Sequence, residues 1–152
     1  MDQIDAQILG CLRDNARQTS TEISKKINMS VASVTERIHK MEKSGIIKQY
    51  TVLLDTHKIG NDVMAIMEVS LEHPKFYDNF TDIVEKTDEI ISCNYITGDN
   101  DFMLQVSVQS SEKLEEFHRM IKSIKGVSNT KTSFVLKEVK NKVAAIPPNT
   151  LL

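Results

Sequence analysis

The stretch that most constrains this chain runs from Thr19 to Ile47, TSTEISKKINMSVASVTERIHKMEKSGII, where two helix starts follow one another with only a tight turn between. Thr19 with Glu22 three residues on has the form of a capping box, each side chain satisfying an unpaired N–H at a helix start. Ile23 and Ile27 then share a face of a helix that stops near Asn28 and Met29. Ser30 is a second N-cap. Beyond it Val31, Val34, Ile38 and Met41 recur at helical spacing, and Gly45 stands where a helix closes on a left-handed residue. The opposite face carries Ser33, Thr35, Glu36, Arg37, Lys40 and Lys43. A second helix that is apolar inward and polar outward is the build of a helix-turn-helix, which lays that helix in the DNA major groove.

Charge supports this placement. The net charge of −2 excludes a uniformly basic nucleic-acid coat. Residues 1–50 hold eight Lys and Arg against six Asp and Glu, whereas residues 51–152 hold eleven against fifteen. The positive end therefore coincides with the helix-turn-helix, and the acidic remainder has another task. Asp2 caps a preceding helix on which Ile4, Ile8, Cys11 and Leu12 align, which makes a three-helix head of about 45 residues with a thin core. After Gly45, the run IIKQYTVLLD is rich in β-branched residues and reads as a short strand, a wing or connecting arm. THKIGND then reads as a turn and a domain boundary.

From Val63 the hydrophobic period changes. Val63, Ala65, Met67, Val69 and Leu71 alternate along a strand; Pro74 opens a helix bearing Phe76, Phe80, Ile83 and Val84. EIISCNYIT and FMLQVSVQ read as strands about a GDND turn. Ser110 or Ser111 starts a helix that turns Leu114, Phe117, Ile121 and Ile124 inward, Gly126 ends it, and a last strand runs from Val127 to about Val139. The order β-α-β-β-α-β is that of a ferredoxin-like fold: an antiparallel sheet with both helices on one face. The fold class is thus α+β, a winged helix-turn-helix head followed by a ferredoxin-like βαββαβ domain. Its divisions are 1–47 for the head, 48–62 for the connection, 63–142 for the sheet domain and 143–152 for a tail. Met64, Ile66, Ile90 and Ile96 are expected on the uncovered face, and such a patch calls for a second copy of the sheet, hence a homodimer.

The whole run from Met1 to Lys142 resembles the Lrp/AsnC, or feast/famine, regulators. The features that carry the resemblance are the opening Asp2, Asp5, Ile8, Leu9 followed by CLRDNAR, the head EISKKINMSVASVTERIHKMEKSGIIKQYTVLLD, then ITGDNDFML, Lys125–Val127 (KGV) and NTKTSFVLKEVK. The resemblance implies a transcription regulator whose head binds double-stranded DNA. Its C-terminal domain would dimerise, often on into octamers, and would sense a free amino acid. Glu36 stands where many relatives have a basic residue, and Asn100 where many have an aromatic one.

For the DNA face, the residues nearest the second helix's N-terminus are expected in the groove: Ser30, Ala32 and Ser33, then Thr35, Glu36 and Arg37 one turn deeper. Ala32 suits a thymine methyl, Arg37 a guanine or a phosphate, and Glu36 a cytosine amino group. Thr19, Ser20, Thr21, Lys25, Lys40 and Lys48 are read as phosphate contacts, which position without specifying. With so few strong base readers, DNA shape and contacts from several copies are expected to supply much of the affinity. The plainer alternative is an αα-hairpin whose charged face is merely solvated.

GDND is composed of turn formers and explains itself as a hairpin. The resemblance adds an effector reading for Tyr95, Ile96, Thr97, Gly98, Asp99 and Asp101, with Thr130, Thr132 and Ser133 contributed by a facing subunit. Turn amides receive a carboxylate, and Asp99 or Asp101 pairs an ammonium group. His39, His57, His73 and His118 lack ligand spacing, so no metal is assigned. Cys11 and Cys93 read as small buried hydrophobes in a reduced cytoplasm. Met29, Met41, Met64, Met67, Met103 and Met120 read as core filler. The sequence has no Ser-His-Asp set, Walker loop or GxGxxG and no apolar run of the roughly 20 residues needed to span a bilayer, and the opening MDQIDAQILGCL, with its early acids, is not expected to act as a signal peptide. The chain is read as a non-enzyme without cofactor or membrane partner. The rival readings are an amino-acid-sensing enzyme subunit and a pure assembly protein with a vestigial head.

Overall fold

The computed structural model describes residues 1–147; the final five positions of the tail assigned to 143–152 lie outside the described residues. Contacts divide the chain into two units, Met1–Leu53 together with residues from Lys140 on, and Leu54–Val139.

In the first unit the caps set the helices. Asp2 and Asp5 form a reciprocal capping box at the start of α1 (Gln3–Asp14). Thr19 and Glu22 form another at α2 (Ser20–Ile27), and the Ser30 hydroxyl accepts from the Ser33 amide at the start of α3 (Val31–Lys43). The turn between α2 and α3 is made by Asn28, whose left-handed φ of 56° ends α2. Gly45, at φ 76°, follows α3. Ile8, Leu12, Ile23, Val34 and Met41 are buried together, with Ile38, Ile47 and Cys11 packed against them. Val31 departs from its expected inward position. It is 43% exposed, because the first turn of α3 overhangs the core that Val34 reaches. The run IIKQYTVLLD makes no strand. β-branched composition is not enough without a ladder partner, and Val52, Leu53 and Leu54 remain more than 60% exposed.

The second unit is a four-stranded antiparallel sheet in the order β2-β3-β1-β4, with β1 Val63–Leu71, β2 Ile90–Tyr95, β3 Phe102–Val108 and β4 Val127–Phe134. A 3-10 turn, Pro74–Phe76, leads into α4 (Tyr77–Val84), and α5 (Ser111–Ser123) joins β3 to β4. This is the ferredoxin-like arrangement. Ala65, Met67 and Val69 of β1 and Phe102, Leu104, Val106 and Val108 of β3 form one core with Phe80, Val84, Leu114, Phe117, Ile121 and Ile124. Gly126 closes the α5–β4 corner at φ +94°, where an added Cβ would collide with the Phe76 ring. That corner is tied to β1's end by the Glu72 amide, which donates to the Gly126 carbonyl at 2.8 Å.

Four expectations for this unit are corrected. Ile90 pairs with Val106 and a register shift follows it, so Ile90 packs on the core and Ile91, 53% exposed, is turned outward instead. The uncovered face is mixed rather than apolar: Met64, Ile66 and Met103 sit among Gln105, Ser133 and the Glu68–Lys131 ion pair. Met103, expected in the core, is 37% exposed there. β4 ends at Phe134, short of Val139, because its partner β1 begins at Val63 and leaves the ladder nothing to extend along; Leu136 and Val139 are almost fully exposed.

Candidate functional sites: the second head helix and the β2–β3 turn

On α3 an exposed stripe, Ala32, Glu36, His39 and Lys40, runs at helical spacing with half-buried Thr35. The hydroxyls at its start are already engaged. Ser30 Oγ donates to Ser33 Oγ at 2.8 Å, and Thr35 Oγ1 donates to the Val31 carbonyl at 3.0 Å. Exposed Val31 lies beside Ala32 and forms a small apolar ledge that the helical period assigned inward. His39, set aside in the sequence because the four histidines lack metal-ligand spacing, is marked by its place in the stripe.

Arg37 lies elsewhere. Its Nη1 donates to Asp2 Oδ2 and to Asp5 Oδ1, both at 2.7 Å, and the side chain is 29% exposed. The two carboxylates raise the guanidinium's pKa further. The Asp2 carboxyl is lowered, first by the Asp5 amide hydrogen bond and then by Arg37. Arg37 thus ties α3 to the start of α1 instead of projecting from the polar stripe.

At α2, the Thr19 amide and hydroxyl both donate to Glu22 Oε2, at 2.7 and 2.9 Å. The Glu22 carboxyl is held below its usual range by the Thr19 amide and then the Thr19 hydroxyl. Thr21, Lys25 and Lys48 are exposed, and Ser20 is half-buried.

The β2–β3 turn is built inward. Its backbone closes with the Ile96 amide donating to the Asp101 carbonyl, and the Asp101 amide donates to Val69 of the neighbouring strand. The Asp101 carboxylate accepts the Leu71 amide at 2.7 Å, at the point where the β1–β4 register shifts. Asn100 Oδ1 accepts the Ser70 hydroxyl at 2.9 Å. Thr97 and Asp99 stay exposed, and Gly98 has φ +127°. Tyr95, 64% exposed, packs edge-on against Tyr77 at 5.2 Å and against Phe102 at 5.1 Å. The turn thus offers the acid of Asp99 and a tyrosine wall, while its second acid is spent on β1.

Thr130, Thr132 and Ser133 do not join this turn within one chain, since β1 lies between β3 and β4. Their hydroxyls have different surroundings. Thr130 Oγ1 lies 3.0 Å from Nε2 of His118, Thr132 Oγ1 is buried with no partner, and Ser133 pairs with Ile66 on the other face. Cys93 is half-buried on the core, which pushes its thiol pKa up. No helix among the described residues is long and apolar enough to cross a membrane.

A capped helix-turn-helix joined to a ferredoxin-like sheet defines a class, that of DNA-binding regulators with a separate ligand domain. Comparison with known proteins specifies it. The sequence profile described as Lrp/AsnC ligand binding domain matches residues 64–145, and that of a winged helix-turn-helix DNA-binding domain matches residues 1–48. The leucine-responsive regulatory protein of Klebsiella pneumoniae is 30% identical over 143 residues, covering 92% of this chain and 87% of that protein. Its Escherichia coli K12 counterpart matches equally. Among solved structures, a Neisseria meningitidis transcriptional regulator in complex with L-Met superposes with TM-score 0.93 at 31% identity, over 100% of this chain and 99% of that one. B. subtilis LrpC superposes with TM-score 0.86 at 32% identity, over 93% and 99%. The chain belongs to the Lrp/AsnC family and is a DNA-binding transcription regulator with a ligand-binding domain.

Proposed function

We propose that this regulator is cytoplasmic, is not an enzyme, and reads DNA as a homodimer or a larger even assembly in response to a free amino acid. The observation that carries the reading is the outward stripe on α3, Ala32, Thr35, Glu36, His39 and Lys40, on a helix whose start is fixed by Ser30. In this proposal Ala32 and Val31 meet thymine methyls, Glu36 accepts from a cytosine amino group and Lys40 meets a phosphate. Ser20, Thr21, Lys25 and Lys48 hold the backbone, while Ser30, Ser33, Thr19 and Arg37 keep the helices in register. Two heads of one dimer would meet successive major grooves, about 34 Å apart. An amino acid would bind where the β2–β3 turn of one copy faces β4 of another, with its ammonium at Asp99, its carboxylate at turn amides near Thr97 and Gly98, and its side chain against Tyr95. The Neisseria regulator's L-Met complex is consistent with such an effector. The ligand would shift the assembly only by binding one state more tightly.

Thermal-shift titration of the chain with each of the twenty amino acids, followed by a gel shift on a palindromic promoter fragment, tests both halves. A ligand at a hundred times its Kd stabilises the native state by about 2.7 kcal/mol, so at least one amino acid should raise the melting temperature and alter the DNA complex. The second reading is a regulator of the same fold without a small-molecule effector. It is favoured by the turn's own hydrogen bonds, which use Asp101 and Asn100 without any ligand. Silence with all twenty amino acids and an intact gel shift would select it.

A further inference from the structure

The head has a thin core for its length: among the described residues its buried apolar cluster is Ile8, Leu12, Ile23, Val34 and Met41. The chain, however, returns to it. After β4, residues from Lys140 on cluster with Met1–Leu53 and not with the sheet. Val143–Pro147 line one trough together with Leu9, Leu12, Ile47, Tyr50 and Leu53 of the head, and Val143 itself stays 60% exposed. Ile146 is half-buried there, and about 480 Å³ of space remains between tail and trough.

The composition of the tail fits this seat. Lys140 and Lys142 give way to the uncharged run Val143, Ala144, Ala145, Ile146, Pro147. Pro147 holds Ile146 in an extended conformation and bars a helix. Left bare, the trough would be a contiguous apolar patch of the kind monomeric surfaces avoid.

We propose that Lys140–Pro147 is a strap, seated by Ile146, that covers the apolar trough beside the core of the DNA-reading head. The chain then passes between head and sheet twice, once after Leu53 and once after Val139, and the second passage issues from the strand that ends the ligand-binding sheet. The space left under the strap means it is held by few contacts. Its release costs little, and the firmness of the head depends on a segment that the chain supplies only after the last strand of the sheet.

Amide hydrogen exchange on the full chain tests this, comparing the native sequence with the double variant Val143→Ser, Ile146→Ser. Exchange in α1 and in 46–53 should quicken roughly tenfold while the sheet's amides keep their rates, and affinity for a promoter fragment should fall. Unchanged protection in α1 and 46–53 would overturn the proposal. A chain ended after Val139 should show the same local pattern, and a peptide of residues 140–147 added in trans should restore the lost protection. Failure of the peptide to restore it, or loss of protection throughout the sheet, would also count against a strap confined to the head.

Discussion

Asp101 separates two accounts of the β2–β3 turn. In the fold its carboxylate accepts the Leu71 amide at 2.7 Å while its own amide donates to Val69, so it pins the turn to the end of β1. Replacing it with alanine leaves the half-buried Leu71 N–H unpaired and removes a charge-assisted bond, at a cost of about 2 kcal/mol. For a unit of this size that lowers Tm by on the order of 10 °C. Asparagine keeps an acceptor oxygen at the same place, so Asp101→Asn should recover most of the loss. If Asp101 also paired a ligand ammonium, the asparagine variant would fold normally and bind the amino acid far more weakly. Calorimetric melting with and without ligand distinguishes the accounts. The pinning account predicts a large drop for alanine, a small one for asparagine, and an unchanged ligand-induced shift for asparagine. Equal melting of the alanine variant and the native chain would refute the argument from the Leu71 hydrogen bond.

Other substitutions probe the remaining frame. Gly126→Ala should destabilise the sheet unit by roughly 2–5 kcal/mol, because alanine meets both the left-handed φ and the Phe76 ring; denaturant unfolding measures it. Arg37→Ala should cost about 1 kcal/mol, a figure kept small because Asp2 is half-exposed. The slope of log affinity against log salt for DNA should stay the same, and a fall of about one unit would return Arg37 to the phosphate contacts. Asp2 and Glu22 have folded pKa values below their ordinary 3.8 and 4.5. Their contribution is therefore full above those values and is lost as pH falls through the depressed ones. Acid titration followed by helical circular dichroism should show the native head weakening below about pH 4.5, with a shallower slope for Asp2→Asn and Glu22→Gln.

The elements legible in advance were those whose signals are local. A capping box needs only residues i and i+3, so Thr19 with Glu22 announced α2, and Ser30 announced α3. Alternation along Ala65, Met67 and Val69 identified the central strand and its buried face. What escaped depends on partners far along the chain. IIKQYTVLLD has strand composition and no ladder to join, a fact its own residues do not encode. Ile90 changed faces because a register shift beside Ser92 breaks the period of two. Arg37 reads as one more outward cation on α3, and its acids lie 32 and 35 residues away. The same holds for Asp101: a GDND turn shows two similar acids, and only the neighbouring strand distinguishes them.

These reassignments alter the account of DNA recognition. With Arg37 tied to α1 and the Ser30, Ser33 and Thr35 hydroxyls bonded within α3, the outward stripe keeps few groups able to distinguish one base pair from another. On the proposed DNA face Glu36 adds a negative charge, which would oppose non-specific binding to the phosphates. Under the proposed function, selectivity then rests on methyl contacts at Val31 and Ala32, on DNA shape, and on the spacing between paired heads. On that proposal a single head reads weakly, and the spacing imposed by a pair would supply the selectivity. Any event that loosens the head, including release of its strap, would thus act on recognition without touching a base-contacting residue.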